Sequence, residues 1–327
     1  MVPHLRCRVV LHVRVVTPPL HTDDLIAALT HDPAVTSLVV LPGVSRRPVG
    51  DLVEFDVASE AANRILEQVR ALNLEHDGTI TLDRLDMAFS DAAALAEAAA
   101  PGESTEAVIW EEVEARVRDE STLSRSFVVL LTAAVVIGAV GILTDSPILV
   151  VGAMVVGPEY GPLSSIALGL HKHHWPRVAR GLQTLVVSFP IAIAVAALMT
   201  WLLELADLTP ERYRLGQRQL TSFISHPDVF SVIVAATAAV AGVVSLTQAK
   251  SGALIGVLVS VTTVPAAANI GVALVHDRSG EAGGAAIQLL VNFAVLVGVG
   301  ALGLRVSSMI HRIPRRARRR RRPHAAR

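Results

Sequence analysis

The chain has 327 residues, 52% of them hydrophobic and 18% charged, with 29 basic side chains against 29 acidic ones and a mean hydropathy of +0.51. So little charge over so much apolar content argues against a soluble globular protein, and the zero net charge hides an uneven distribution: polar and mixed to about residue 125, apolar beyond it, basic at the tail. The single cysteine, Cys7, excludes an intramolecular disulfide and a cysteine cluster for a metal.

Arg and His interleaved with Val in the first residues break any signal-peptide core, so the front part is expected to stay unexported. LRCRVVLHVRVV (5–16) has the period-two pattern of a strand with one wet face. A helix is expected from TDDLIAALTHD, with Thr22 as N-cap. AVTSLVVLPG (34–43) reads as a strand ended by Pro-Gly, and DLVEFDVA (51–58) as another strand. Ser59 would cap a helix whose Ile65, Leu66, Val69 and Leu72 share one face. Gly78 opens a last strand, GTITLDRLD. The order βαββαβ is that of a ferredoxin-like α+β domain, assigned to residues 1–86.

Residues 87–125 form a helical linker: DAAALAEAAA, a Pro101-Gly102 break, then an amphipathic helix carrying Val108, Trp110, Val113 and Val117. The transmembrane domain is placed at 126–305 and the basic tail at 306–327. Six apolar runs follow one another, 127–143, 147–170, 181–203, 229–248, 251–275 and 284–304. Each is long enough to cross roughly 30 Å of hydrocarbon as a helix. Arg116, Arg118 and Arg125, then Lys172, Arg177 and Arg180, then Lys250 and the Arg-rich tail fall on one side of a six-span topology, while Arg212, Arg214, Arg218 and Arg278 dissent. Both termini are therefore expected in the cytoplasm and the protein in the cell (inner) membrane.

The second and fifth runs share a design. Each follows a short polar break, carries Gly, is interrupted by Pro and ends at a His, His171 or His276. A span beginning with Gly and then Gln comes next, Gly181 and Gln183 or Gly284 and Gln288. The chain thus reads as three spans repeated, which places the second copy upside down, with two broken helices and a site between the copies. The first interruption is Gly157, Pro158, Glu159, Tyr160, Gly161 and Pro162; the second is Thr262, Thr263, Val264 and Pro265. Such breaks must face protein or a wet cavity, because lipid cannot satisfy the freed backbone groups. Glu159 near mid-membrane reads either as a proton-exchanging site residue or as a cap on a half-helix. Asn269 and Asn292 read as substrate contacts or as helix-to-helix glue. The Gly252/Gly256 spacing and Gly298, Gly300 and Gly303 are explained by close packing. His171, His173 and His174 with Lys172 have residue types of a metal site, but no carboxylate or Cys is nearby in sequence and Trp175 adjoins them, so a solvated basic loop is the better reading.

At GAMVVGPEYGPL (152–163) the chain resembles a bacterial and archaeal family, the uncharacterised hydrophobic domain family, domain of unknown function number three hundred and eighty-nine. The resemblance is carried by Gly152, Ala153, Met154, Pro158 and Pro162, with echoes at Val264-Pro265, Gly271 and Asn292, and covers about residues 120–305. Glu159 stands where the family pattern has an apolar residue, and Pro265 is single where a Pro pair is expected. The resemblance implies the membrane fold and supplies neither substrate nor catalytic residues.

Two functions are compatible with these features: a transporter or permease for a small solute or ion, proton-coupled through Glu159, with a regulatory front domain; or a membrane-anchored sensor or oligomeric scaffold whose front domain binds a ligand or partner. No Ser/His/Asp, metal or phosphate-loop constellation marks an enzyme, and no cofactor or metal is implied. The expected partners are the bilayer, anionic headgroups at the tail and further copies of the chain, with no nucleic acid.

Overall fold

The computed structural model describes residues 10–58, 61–85, 110–215, 229–248 and 253–312, in two compact units divided between Val113 and Glu114. Cys7, Ser59, the Ala-rich linker segment, Val108, Arg218, Lys250, Gly252 and the basic tail lie outside the described residues.

The first unit contains β1 (Val10–Thr17), α1 (Pro19–Thr30), β2 (Val35–Arg46), β3 (Val49–Ala58), α2 (Ala62–Ala71), the single turn α3 (Leu74–Asp77) and β4 (Thr79–Leu85). The strands form one antiparallel sheet in the order β2-β3-β1-β4, so the βαββαβ order read from the sequence is the order found. Alternation places Leu11, Val13 and Val15 in the core with Ile65, Leu66 and Val69 of α2. On the other face, His12 Nδ1 lies 2.8 Å from Asp56 and Arg14 3.3 Å from Glu54, cross-strand pairs on β3.

Two local expectations fail here. Thr22 does not cap α1: Pro18 and Pro19 pre-set the backbone and start the helix four residues earlier, with Pro18 in the N-cap position. Thr22 is instead buried and donates to Asp51 Oδ2 at 2.6 Å. Nor does Pro42-Gly43 end β2. The strand is at the sheet edge, where a missing N–H costs nothing, and it continues to Arg46 through an irregularity in register between Leu41 and Ser45. Gly43 takes the left-handed φ of 63°, and its N–H donates to Asp51 Oδ1 at 2.8 Å. One carboxylate thus holds the bulge and the first helix together. The Thr22 hydroxyl, then the Gly43 N–H, keep the Asp51 carboxyl below the ordinary carboxylate range.

The second unit holds the end of α4 (Trp110–Glu120), then α5 (Arg125–Leu143), α6 (Pro147–Val156), α7 (Tyr160–His171), α8 (Trp175–Leu205), the short α9 (Glu211–Arg214), α10 (Val229–Gln248), α11 (Ala253–Val275) and α12 (Ser279–Arg312). Each of the six apolar runs carries helix in its described residues, the second one interrupted at 157–159. Four described helices are long and apolar enough to cross a bilayer: Arg125–Leu143, Trp175–Leu205, Val229–Thr247 and Ser279–Met309. A fifth such length is the α6–α7 pair, bent by 57°.

The bundle is inside-out by the standard of a soluble protein. In three of the four helices only 33% of the apolar window is buried, and Val129, Leu149, Val186, Leu198, Phe230 and Leu290 face outward. The interior mixes large apolar side chains such as Leu131, Ile142 and Phe189 with small ones, Ala266, Ala267 and Ala268 among them, that let helices approach closely. These are the surfaces of a membrane protein. α11 is central and packs on α5, α6, α8, α10 and α12. A Cβ on Gly271 would lie 3.0 Å from the Ile193 carbonyl of α8, so the glycine lets the two helices approach closely.

The expected second break is absent, since α11 runs unbroken through Pro265. A lone Pro followed by three alanines loses one backbone bond inside protein, whereas GPEYGP loses two donors and adds two glycines. The helix ends, by contrast, repeat closely. Asp145, His173, Asp207 and Asp277 each take φ of 49–55° just past a helix. In each case the next N–H reaches back five residues, Ser146 to Gly141, His174 to Gly169, Leu208 to Leu203 and Arg278 to Ala273, a Schellman closure without glycine.

Replacing Asp51 by Ala should lower the melting temperature of a fragment spanning residues 1–113. In the parent, the Asp51 contribution is complete above the ordinary carboxylate range and fades as pH falls through its lower folded value, so melting curves of parent and variant should converge in acid. Gly161→Ala should destabilise the bundle by about 3 kcal/mol, because a Cβ there would sit 2.3 Å from the Glu120 carbonyl oxygen. Gly152→Ala, with nothing within 4 Å, should leave melting in detergent unchanged.

Candidate functional site

The broken second span is the chemically distinctive place in the bundle. α6 ends at Gly157, whose ψ of 125° turns the chain out of helix, and Pro158 has no N–H to continue it. Glu159 begins α7 as its N-cap residue, and its carbonyl accepts the Leu163 N–H at 3.3 Å. Its side chain does not cap that helix. It is 0% exposed, and its Oε1 accepts a hydrogen bond from the Thr263 hydroxyl of α11 at 2.6 Å. Of the two sequence readings of Glu159, the half-helix cap is therefore excluded at the level of the side chain. The carboxylate still benefits from the positive N-terminal pole of α7.

Tyr160, the next residue, reaches another helix. Its hydroxyl donates to the Gly242 carbonyl of α10 at 2.7 Å, and its ring lies against the space where a Gly242 side chain would be. The break therefore ties α7 to α10 and α11 through two consecutive side chains. Gly161 meets the Glu120 carbonyl at the end of α4, and Pro162 is buried within the first turn of α7. Beside Tyr160 is a water-sized cavity of about 30 Å³, lined by Ser164, Ala167, Gly242, Gly300 and Leu304.

The remaining expected site residues divide. Thr263 is joined to Glu159, and Pro265 is buried two residues along the same helix. Of Thr262 only the backbone, in α11, is described. Asn269 and Asn292 are buried in α11 and α12. Gln288, which the sequence marks only as a repeat position, is buried one turn before Asn292 on the same face of α12. Its repeat counterpart Gln183 is exposed on α8.

Both ends of the bundle carry polar clusters that the sequence does not announce. At the far end of α8, Glu204 lies 3.3 Å from His276 Nε2 and 3.5 Å from Arg214. Tyr213 is fully buried there, with its ring edge-on to His276 at 4.7 Å and the Arg278 guanidinium 4.9 Å from the ring centre. The three contributing segments, at Glu204, Tyr213–Arg214 and His276–Arg278, lie up to tens of residues apart, so no local motif could reveal them. At the opposite end, the His171–Trp175 turn has the carboxylate its own sequence lacks. Glu114 of α4 pairs with Lys172 and, at 2.8 Å, with Arg177. Burial pushes the Glu114 carboxyl up, but the Lys172 and Arg177 hydrogen bonds outweigh it and hold the group below the ordinary carboxylate range. No cluster of three metal-ligating side chains exists among the described residues.

An uncharacterised protein of Methanocaldococcus jannaschii is 23% identical to the chain over 194 residues, 59% of this chain and 58% of that protein, so the chain spans little more than half of that relative's length. No solved structure matches. Residues 154–297 match the model of a family described as a domain of unknown function, DUF389; that stretch begins just before the break and ends within α12.

Proposed function

We propose that the protein is a non-enzymatic transporter or permease for a small solute or ion, with Glu159 as its proton-exchanging group. The observation that carries this reading is the fully buried Glu159 carboxylate at a helix break, hydrogen-bonded to Thr263. A carboxylate inside a membrane bundle costs several kcal/mol to bury and is a functional group by default. A plain anchor would gain nothing from it. A water-sized cavity adjoins the break at Tyr160, and the bundle also buries the polar side chains of Asn269, Gln288 and Asn292.

In this reading the bundle has six spans in a 3+3 inverted repeat. Supporting it, α8 packs on α11 while α12 packs on α7, the reciprocal pairing expected when third and sixth spans embrace the opposite copy's second span. The matching closures at His173 and Asp277, after the second and fifth spans, agree with it. The repeat is then imperfect at its centre: only one of the paired spans is broken. Both termini are cytoplasmic, the front domain is regulatory, the tail rests on anionic lipid, and the protein assembles from copies of itself in the cell membrane.

In proteoliposomes loaded with a pH-sensitive dye, the parent protein should carry a flux that changes with pH. Glu159→Gln should fold normally yet lose at least ten-fold of that flux together with its pH dependence, while Thr263→Val should retain part of both. Equal fluxes from the parent and Glu159→Gln would dismiss Glu159 as the exchanging group. The topology is checked separately in a Cys7→Ser background. An impermeant maleimide added to intact cells should label Thr144→Cys and Leu208→Cys and spare His173→Cys; the reverse pattern would turn the molecule over.

A further inference from the structure

At the end of the bundle that bears the His171–Trp175 turn lies a cleft of about 480 Å³, lined by Glu114, Arg118, Lys172, His174, Arg177 and Arg180. Four permanent cations and a histidine thus face one carboxylate. Both oxygens of that carboxylate are already engaged: Lys172 takes Oε1, and Arg177 takes Oε2 at 2.8 Å. Arg118 and Arg180 have no acidic partner among the described residues. The cleft therefore concentrates positive charge that its own acid cannot cancel.

Charges that merely set topology would stand in water. Here Arg177 is buried, and Glu114 fixes it together with Lys172 at the wall of the cleft, so the cations are held in place before any ligand arrives. The cleft adjoins the N-terminus of α8, whose dipole adds to the positive potential. Trp175, 67% exposed in the same turn, has the amphipathic ring typical of the headgroup level of a bilayer. Guanidinium forks and an ammonium arranged around a pocket match the oxygens of a phosphate.

We propose that this cleft binds a phosphate-bearing anion, with Arg118 and Arg180 as the primary contacts and Lys172, Arg177 and His174 as the surrounding donors. Glu114 then acts as an internal competitor: it holds two of the cations and tempers affinity for the anion. The site is distinct from the basic tail and does not depend on transport through the break. The anion is either the headgroup of an anionic lipid, which is plentiful on the positively flanked face of a membrane, or a free phosphate.

The full chain in neutral detergent is titrated with dihexanoyl phosphatidylglycerol, with dihexanoyl phosphatidylcholine and with inorganic phosphate, and binding is read by thermal shift and native mass spectrometry. The anionic lipid should bind more tightly than the zwitterionic one. Arg118→Gln/Arg180→Gln should leave the ligand-free melting temperature unchanged and weaken anion binding about 30-fold, the worth of two interfacial cations. Glu114→Gln should strengthen binding, an effect opposite in sign to that expected if Glu114 were only a structural clip. Neutralising Arg319 and Arg320 in the tail should change affinity less than two-fold. Tighter binding of phosphatidylglycerol than of inorganic phosphate identifies the headgroup as the source; equal binding of both, with the same variant dependence, identifies free phosphate. Unchanged affinity for both anions in Arg118→Gln/Arg180→Gln, or a loss confined to the tail variant, would overturn the proposal.

Discussion

Inside a hydrocarbon layer no water is available to satisfy a freed backbone group or a buried carboxylate, and among the described residues the bundle brings both together at the break. Gly157 and Pro158 end a helix in mid-span, and Glu159 follows with a side chain wholly removed from solvent. The partner is supplied by α11, the helix that packs against most of the others, through the Thr263 hydroxyl. Tyr160 secures the same turn to α10. The break is thus held from two sides.

The requirement propagates outward through size. α11 can occupy the centre because it is lined by alanines and because Gly271 admits the α8 backbone. The start of α7 can meet the end of α4 because residue 161 has no side chain. Further large aliphatic residues, Val129, Val186, Leu198 and Leu290 among them, cover the outside, where lipid receives them at no cost. The polar clusters then collect at the two ends, where helices stop: Glu204, Tyr213, His276 and Arg278 at one, Glu114, Lys172 and Arg177 at the other. Each knits segments that are remote in the chain. The helix closures beside them use Asp and His in the left-handed conformation, residues whose short polar side chains tolerate it better than most.

The front unit illustrates the same economy in water. One carboxylate, Asp51, accepts from a helix hydroxyl and a strand-bulge amide, so a single side chain sets both the seating of α1 and the shape of the sheet edge. Its open sheet face carries crossed pairs, His12 with Asp56 and Arg14 with Glu54, consistent with a wet surface.

What the sequence alone determined was whatever depends on periodicity and on composition over a window. The strand alternation, the apolar face of α2, the four long apolar helices and the break at GPEYGP all follow from side-chain pattern and backbone chemistry within a few residues. Tertiary structure decided the rest. It turned Thr22 from a cap into a buried donor, because two prolines upstream had already started the helix. It carried β2 past Pro42 because the strand lies at an edge. It kept α11 whole through Pro265, since a single missing N–H inside packed protein is tolerable where two prolines and two glycines are not. And it chose Thr263 as the partner of Glu159 and Glu114 as the partner of Lys172 and Arg177, pairs 104, 58 and 63 residues apart. A hydrogen bond of that span leaves no trace in local sequence, because its geometry exists only once the helices have packed.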